Sequence, residues 1–248
     1  MGRPIAAAAL LVLSVLSACG RGAEDRKDLT VYAAASLRQP FTAIADVFER
    51  SHPDTRVRFN FAGSSDLVAQ LQQGGSADVL ATADEITMRS ARDLVQKPQV
   101  FAYNTMTVVV PADNPGRVQS LNDLADSDLY VVTCAPQVPC GAATARIQAS
   151  SGIDISTDSE EASVTDVLNK VATGQADAGI VYTSDANSQR GAVRSLPVPP
   201  AVNTRNFYPI AITTETDVPD AGRDFIDLVT GPEGDRILRG AGFSGTVR

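Results

Sequence analysis

The side chains with chemistry to offer are few, and most stand where an apolar strand gives way to a helix. Ser36 lies in the turn Ala33-Ala34-Ala35-Ser36-Leu37, between the strand residues Val31 and Tyr32 and a helical pattern. Ser64 and Ser65 follow Phe61-Ala62-Gly63 at a second such junction, and Pro139-Cys140-Gly141 opens a third. A helix start exposes unpaired backbone N–H groups and the positive end of the peptide dipole. A small hydroxyl residue there either caps the helix or helps to hold an oxyanion. Both readings stand for Ser36, and for Ser64 with Ser65 as a spare hydroxyl. Gly63 lets the backbone come close to a bound group. Tyr182 ends the strand-like run Asp177–Tyr182, where its phenol either donates into a cleft or packs in the core.

Other chemistries lack their parts. The single histidine, His52, sits in Ser51-His52-Pro53-Asp54, and Gly242-Phe243-Ser244-Gly245-Thr246 misses the G-x-S-x-G pattern. A serine hydrolase would need a base beside a nucleophile. A metal site would need clustered His, Cys or carboxylate ligands. Asp158, Glu160 and Glu161 are close in sequence but read as a solvated helix start. Asp78, a lone carboxylate, reads as a cap or a loop-positioning residue. Cys134 and Cys140 form an even pair in the loop CAPQVPC, for which a disulfide is expected in an oxidising compartment. The spacing is not the Cys-x-x-Cys of a redox-active pair. Closing so short a loop stabilises by roughly 2 kcal/mol, so its use is to fix the loop's shape.

The elements that must position these residues alternate along the chain. Leu37, Phe41, Ile44, Ala45 and Phe48 recur at helical spacing and predict an amphipathic helix, with Ser36 as its N-cap, lying on the sheet that holds Val31. Val57–Phe61 predicts a strand, followed by a helix through Leu67, Val68 and Leu71 that stops at Gly74-Gly75. Ala77–Thr82 reads as a buried strand and Glu85–Gln96 as a helix. Asn104–Val110 is β-branched and strand-like, and the prolines and glycine of Pro111–Gly116 mark a break where the chain crosses between lobes. Beyond it come a strand at Leu129–Thr133, a helix from Pro139 ending before Gly152, and a helix opening at Glu161–Val164. Strands at Asp177–Tyr182 and Tyr208–Ile212 follow, then helices at Ala221–Val229 and Glu233–Gly240. This alternation indicates an α/β protein with mostly parallel sheets, which bind ligands at the carboxyl ends of their strands.

At the amino end, Arg3 precedes an apolar run, Ile5–Leu16, too short for the ~20 residues of a transmembrane helix. Residues 1–18 read as a signal peptide, and the run leads into Leu16-Ser17-Ala18-Cys19, which is similar to a bacterial lipobox. Cys19 is then the lipidated first residue, and residues 19–28 a polar tether. At ~0.8 kcal/mol per buried methylene, two or more chains on Cys19 are needed for stable attachment. Without residues 1–18 the chain holds 20 Lys+Arg against 29 Asp+Glu, a net charge of −9. That balance argues against nucleic acid as a partner. It also means that any anion site is built locally, from dipoles and hydrogen bonds. A hydrophobic content of 44% supports a full core, as one large domain or two lobes.

Seven short segments carry a family likeness: AAASL at Ala33–Leu37, FAGSSDL at Phe61–Leu67, ADVLATAD at Ala77–Asp84, VPCG at Val138–Gly141, GIVYTSDA at Gly179–Ala186, YPIAI at Tyr208–Ile212 and TGPEGDRILRGAGF at Thr230–Phe243. Each is weak alone, but in this order and spacing they make the chain resemble the molybdate-binding proteins, solute receptors of ABC importers. The resemblance implies a type II periplasmic-binding-protein fold, α/β, with two lobes of mixed, mostly parallel sheets and a ligand cleft between them. Lobe 1 would comprise 29–107 and 206–248, and lobe 2 would comprise 108–205. It further implies that Ser36 and Ser64 give hydroxyl and backbone donors, Cys140 and Val164 backbone N–H groups, and Tyr182 its phenol. Cys140 departs from the family's usual alanine, which leaves its side chain free for the disulfide. The ligand implied is molybdate or tungstate, with no cofactor, no metal beyond the oxyanion and no catalytic residue. The implied partner is an ABC permease, and the implied receptor is a monomer outside the cytoplasm, held to the membrane by the lipid on Cys19. Neutral donors select by geometry, which favours these ions over the smaller sulfate. A receptor of the same fold for another oxyanion is the alternative, and a lipid-anchored serine hydrolase is the different class.

Overall fold

The computed structural model describes residues 26–245, so the expected signal peptide, Cys19 and most of the expected tether lie outside the described residues. The chain opens with β1 (Lys27–Ala34), a 3-10 turn at Ala35–Leu37 and α1 (Arg38–Ser51). Next come β2 (Thr55–Ala62), α2 (Ser64–Gln72), β3 (Val79–Ala81), α3 (Glu85–Ser90) and the long β4 (Val95–Pro111). Then follow β5 (Val131–Cys134), α4 (Pro139–Ser151), β6 (Ser159–Glu161), α5 (Val164–Ala172), β7 (Ala178–Tyr182), α6 (Thr183–Ser188) and β8 (Val193–Pro197). The chain returns through β9 (Arg205–Thr213), α7 (Pro219–Thr230), α8 (Pro232–Gly240) and β10 (Ser244–Gly245).

The strands run β2-β1-β3-β9-β4-β7-β5-β6, with β8 and β10 also paired to β4. β1 pairs parallel with β2 and β3, and β5 parallel with β6 and β7, as strand-helix-strand units require. β4 is antiparallel to all its partners, and β9 is antiparallel to β3 as well, so the whole is a mixed α/β sheet. β4 is the seam. Its residues 95–105 pair with β9, whereas Met106–Val109 pair with β7 and Thr107–Pro111 with β8. One strand thus belongs to two groups of strands, and the chain passes between them twice, through β4 and back into β9.

The predicted helical stripe on α1 is buried: Phe41, Ile44, Ala45 and Phe48 face inward. Phe225 of α7 meets Phe41 and Phe48 edge-on, with ring centroids 5.9 and 5.5 Å away. Such aromatic pairs add to plain area burial. On the other side of β4, Val164, Val167, Leu168 and Val171 of α5 are buried in the same way.

Three local expectations change. The helix expected over Glu85–Gln96 ends at Ser90, because Val95–Val100 pairs with β9 and backbone pairing overrides a weak helical pattern. The helix expected from Glu161 starts at Val164, with Ser163 as its cap. Glu160 and Glu161 lie instead on β6, beside Thr133 and Cys134, and Asp158 accepts from the Val131 N–H. Ser36 does not cap α1; Leu37 holds that position and no side chain caps the helix. The lone carboxylate Asp78 does position a loop, accepting from the Thr30 N–H and the Thr216 hydroxyl, each at 2.7 Å.

Candidate functional site

Ser36, Ser64, Cys140, Val164 and Tyr182 line one small cavity, with about 240 Å³ of space between atoms, part of it open to solvent. It lies where the turn after β1, the starts of α2, α4 and α5, and the end of β7 converge. Fourteen residues line it, and none is charged. Ser64, Cys140 and Val164 stand in the first turns of their helices, where backbone N–H groups lack intrahelical partners.

Three hydroxyls share one arrangement. Ser64 Oγ accepts from the Ala83 N–H at 3.0 Å. Tyr182 Oη accepts from Asn206 Nδ2 at 2.9 Å. Ser36 Oγ lies 3.1 Å from Tyr208 Oη, and either can donate. A hydroxyl has one proton, so Ser64 and Tyr182, each accepting from the protein, keep theirs to give, and Ser36 does when Tyr208 donates to it. Ser163 differs although it lines the same cavity, because its hydroxyl donates to Asp166 Oδ2 at 2.7 Å. The hydroxyls of Ser64 and Tyr182, and that of Ser36 when Tyr208 donates to it, are therefore free to donate, and their complement is a group that accepts.

Burial acts on the titratable neighbours. Tyr182 is 1% exposed, and desolvation pushes its phenol well above the ordinary range, with the Asp185 and Asp84 carboxylates adding to the rise. It stays protonated and remains a donor. Desolvation also raises Asp185, to about 7, against the bond that its carboxylate accepts from the Tyr182 N–H. Arg38, one step along from the Ser36 turn, does not reach the cavity; its guanidinium lies over the Phe61 ring at 4.6 Å.

Two glycines allow close approach, Gly63 across the cavity and Gly141 beside it. A Cβ on Gly63 would lie 2.3 Å from the Ala162 carbonyl oxygen, which follows β6 on the far side. A Cβ on Gly141 would lie 1.9 Å from the Ala135 carbonyl oxygen, because Cys134 and Cys140 are disulfide-bonded and fold their loop over the start of α4. Ser65, the second candidate hydroxyl at its junction, does not line the cavity. It donates to the Gln137 carbonyl at 2.8 Å and so ties α2 to that loop.

Ala83, Tyr208 and Asn206 were not singled out from the sequence as site residues. Tyr208 stood in a recognised segment, YPIAI, without a role. Asn206 carried no local signal at all. His52 stacks on Phe48, its Nδ1 3.0 Å from Ser51 Oγ and its Nε2 3.3 Å from Asp224 Oδ2. Ser51 nevertheless donates to the Phe48 carbonyl at 2.9 Å, and none of the three residues lines the cavity, so the row has no built site around it. Among the described residues, no three His, Cys, Asp or Glu side chains are grouped to hold a metal ion.

A family model described as "Bacterial extracellular solute-binding protein" matches residues 29–244. The chain is 44% identical over 246 residues to the molybdate-binding protein ModA of Mycobacterium tuberculosis, covering 94% of each. It is 30% identical to the ModA of Haemophilus influenzae, over 87% of this chain and 89% of that one. Among solved structures it superposes on the Azotobacter vinelandii periplasmic molybdate-binding protein with a TM-score of 0.77 and 20% identity, over 88% of this chain and 99% of the other. It also superposes on the sulfate-binding protein SubI of M. tuberculosis, with a TM-score of 0.79 and 18% identity over 89% and 88%. Likenesses at that identity speak to the fold; the matches at higher identity and the family model go further. From matches that run nearly end to end, the chain belongs to the bacterial extracellular solute-binding protein family and is a relative of the molybdate-binding proteins named ModA.

Proposed function

We infer that this protein is the receptor of an ABC importer that binds molybdate, and tungstate with it, and hands the ion to its permease outside the cytoplasm. The observation that carries this is the uncharged lining that gathers the hydroxyls of Ser36, Ser64 and Tyr182 with the first-turn N–H groups of Ser64, Cys140 and Val164. Burying an unpaired dianion would be prohibitive, but charge-assisted hydrogen bonds at about 1.5–3 kcal/mol each offset that cost when several converge. The names of the relatives at 44% and 30% identity support the choice of ion.

Two lobes, 29–107 with 206–248 and 108–205, close on the ion. In support, β4 divides its pairing between two groups of strands, and Gly63 meets Ala162 across the cavity. Cys19 anchors the receptor by lipid, and the folded body acts as a monomer without catalysis. A receptor of the same fold for sulfate is the second reading, since a sulfate-binding protein shares this fold.

Calorimetric titration of the body lacking residues 1–19 with molybdate, tungstate, sulfate and phosphate, at matched ionic strength, decides between them. Tight one-to-one binding of the first two alone is expected. Ser36→Ala and Ser64→Ala each weaken it by on the order of tenfold, about 1.4 kcal/mol, without unfolding the protein. Binding of sulfate instead changes the solute, and variants that bind molybdate like the parent would put the site elsewhere.

A further inference from the structure

The cavity holds no charged side chain, yet a cation stands one residue behind its wall. Asn206, near the start of β9, is 2% exposed and fully engaged. Its Nδ2 lies 2.9 Å from Tyr182 Oη, 3.2 Å from the Ala83 carbonyl oxygen and 3.3 Å from the Pro139 carbonyl oxygen. Its Oδ1 accepts from Arg146 Nη2 at 2.8 Å, while Arg146 Nε donates to Thr204 Oγ1 at 3.1 Å. Among the described residues no carboxylate lies within 4.0 Å of the Arg146 guanidinium.

These partners leave the amide one orientation. A guanidinium can only donate, so Oδ1 must face Arg146 and Nδ2 must face Tyr182. Tyr182 Oη then spends its acceptor capacity on Asn206, and its single proton must point elsewhere. Tyr208, whose ring centroid is 5.8 Å away, offers only a neutral hydroxyl. A doubly charged oxyanion in the cavity is the stronger acceptor and draws that proton inward.

We propose that Arg146 and Asn206 are positioning residues for the oxyanion, Arg146 locking the Asn206 amide and Asn206 aiming the Tyr182 hydroxyl proton into the cavity. This rests on the oxyanion reading above. Arg146 adds its own field, because it has no carboxylate partner among the described residues and, being only partly buried, is screened less by water than an exposed charge. The chain thereby places a positive charge near a dianion while every group touching the ion stays neutral. Ion selection is left to geometry, and the helix that carries Cys140 also carries the charge.

The test is a double-mutant cycle read by molybdate titration, with circular dichroism to check folding. Asn206→Leu keeps the side chain's volume and removes the donor, and Tyr182→Phe removes the hydroxyl. Each single variant is expected to weaken binding by on the order of tenfold. In the Tyr182→Phe background, Asn206→Leu should change affinity by less than about twofold, because the group it acts through is gone. Losses that multiply, or an Asn206→Leu protein that binds like the parent, overturn the proposal. Arg146 is only partly buried, so Arg146→Met unlocks the same relay without replacing the buried amide, should Asn206→Leu fail to fold. It is expected to weaken molybdate by on the order of tenfold, and a loss below about threefold overturns the role of the charge. A parent that binds none of the four anions fells the oxyanion reading itself, an outcome distinct from an additive cycle in a parent that binds.

Discussion

Gly63→Ala should block the closed cleft while leaving the ligand-free protein sound. Gly63 has φ −56° and ψ 137°, a conformation that alanine adopts without strain. Its own helix has room for the methyl, since the nearest local atom is Asp66 Oδ2 at 3.3 Å, the end of a flexible side chain. The obstacle is the Ala162 carbonyl oxygen, 2.3 Å from the new Cβ where ordinary contact begins at 3.4 Å. The overlap exceeds 1 Å, and Ala162 is backbone held beside β6, so relief comes from separating the two walls by about that much. A hydrogen bond of about 2.9 Å stretched by 1 Å is lost. Losing one charge-assisted bond costs about 1.5–3 kcal/mol, and so weakens affinity by about 10- to 150-fold. Titration with molybdate and thermal melting without ligand are the assays. The expected result is a large loss of affinity with a nearly unchanged melting temperature. Binding within threefold of the parent would refute closure through this contact. A large drop in the ligand-free melting temperature would instead make the Gly63–Ala162 contact part of the resting fold.

Two further outcomes follow from the same structure. Replacing Cys134 and Cys140 together by alanine removes about 2 kcal/mol of loop-closure stabilisation, lowering the melting temperature by roughly 4–8 °C. Because Cys140 lines the cavity in the first turn of α4, where its donor is the backbone N–H, molybdate affinity should fall less than tenfold; complete loss would show that the disulfide, more than the N–H, makes this wall. Asp185 titrates at about 7 in the folded protein because burial disfavours its charge, and at about pH 4 in the unfolded chain. Between those values the folded state binds the extra proton, so this group makes stability fall as pH rises from about 4 to about 7. Asp185→Asn keeps an acceptor for the Tyr182 N–H and should flatten that slope and raise the melting temperature at pH 8. Parallel melting curves of parent and variant at pH 5 and pH 8 would contradict the assignment.

Much of the fold and half of the site could be read along the chain, because the signals involved are local. Apolar spacing on Phe41, Ile44 and Phe48 marks α1 whatever packs against it, and a helix start offers free N–H groups wherever it lies. Seven short segments in order sufficed for the family. The disulfide followed from counting cysteines. What those signals could not say is where each proton goes. Ser36 reads as a helix cap or as a ligand until Tyr208, 172 residues away, stands 3.1 Å from it. Ser65 looks as available as Ser64 until Gln137 takes its proton. Residues 91–96 look helical, yet 91–94 form a turn and Val95 and Gln96 pair with β9. Asn206 carries no motif, yet it joins Arg146 to Tyr182 behind the cavity. A hydroxyl's identity is a property of one residue, but its direction is set by whichever distant group occupies its lone pair, and only tertiary packing brings that group into place.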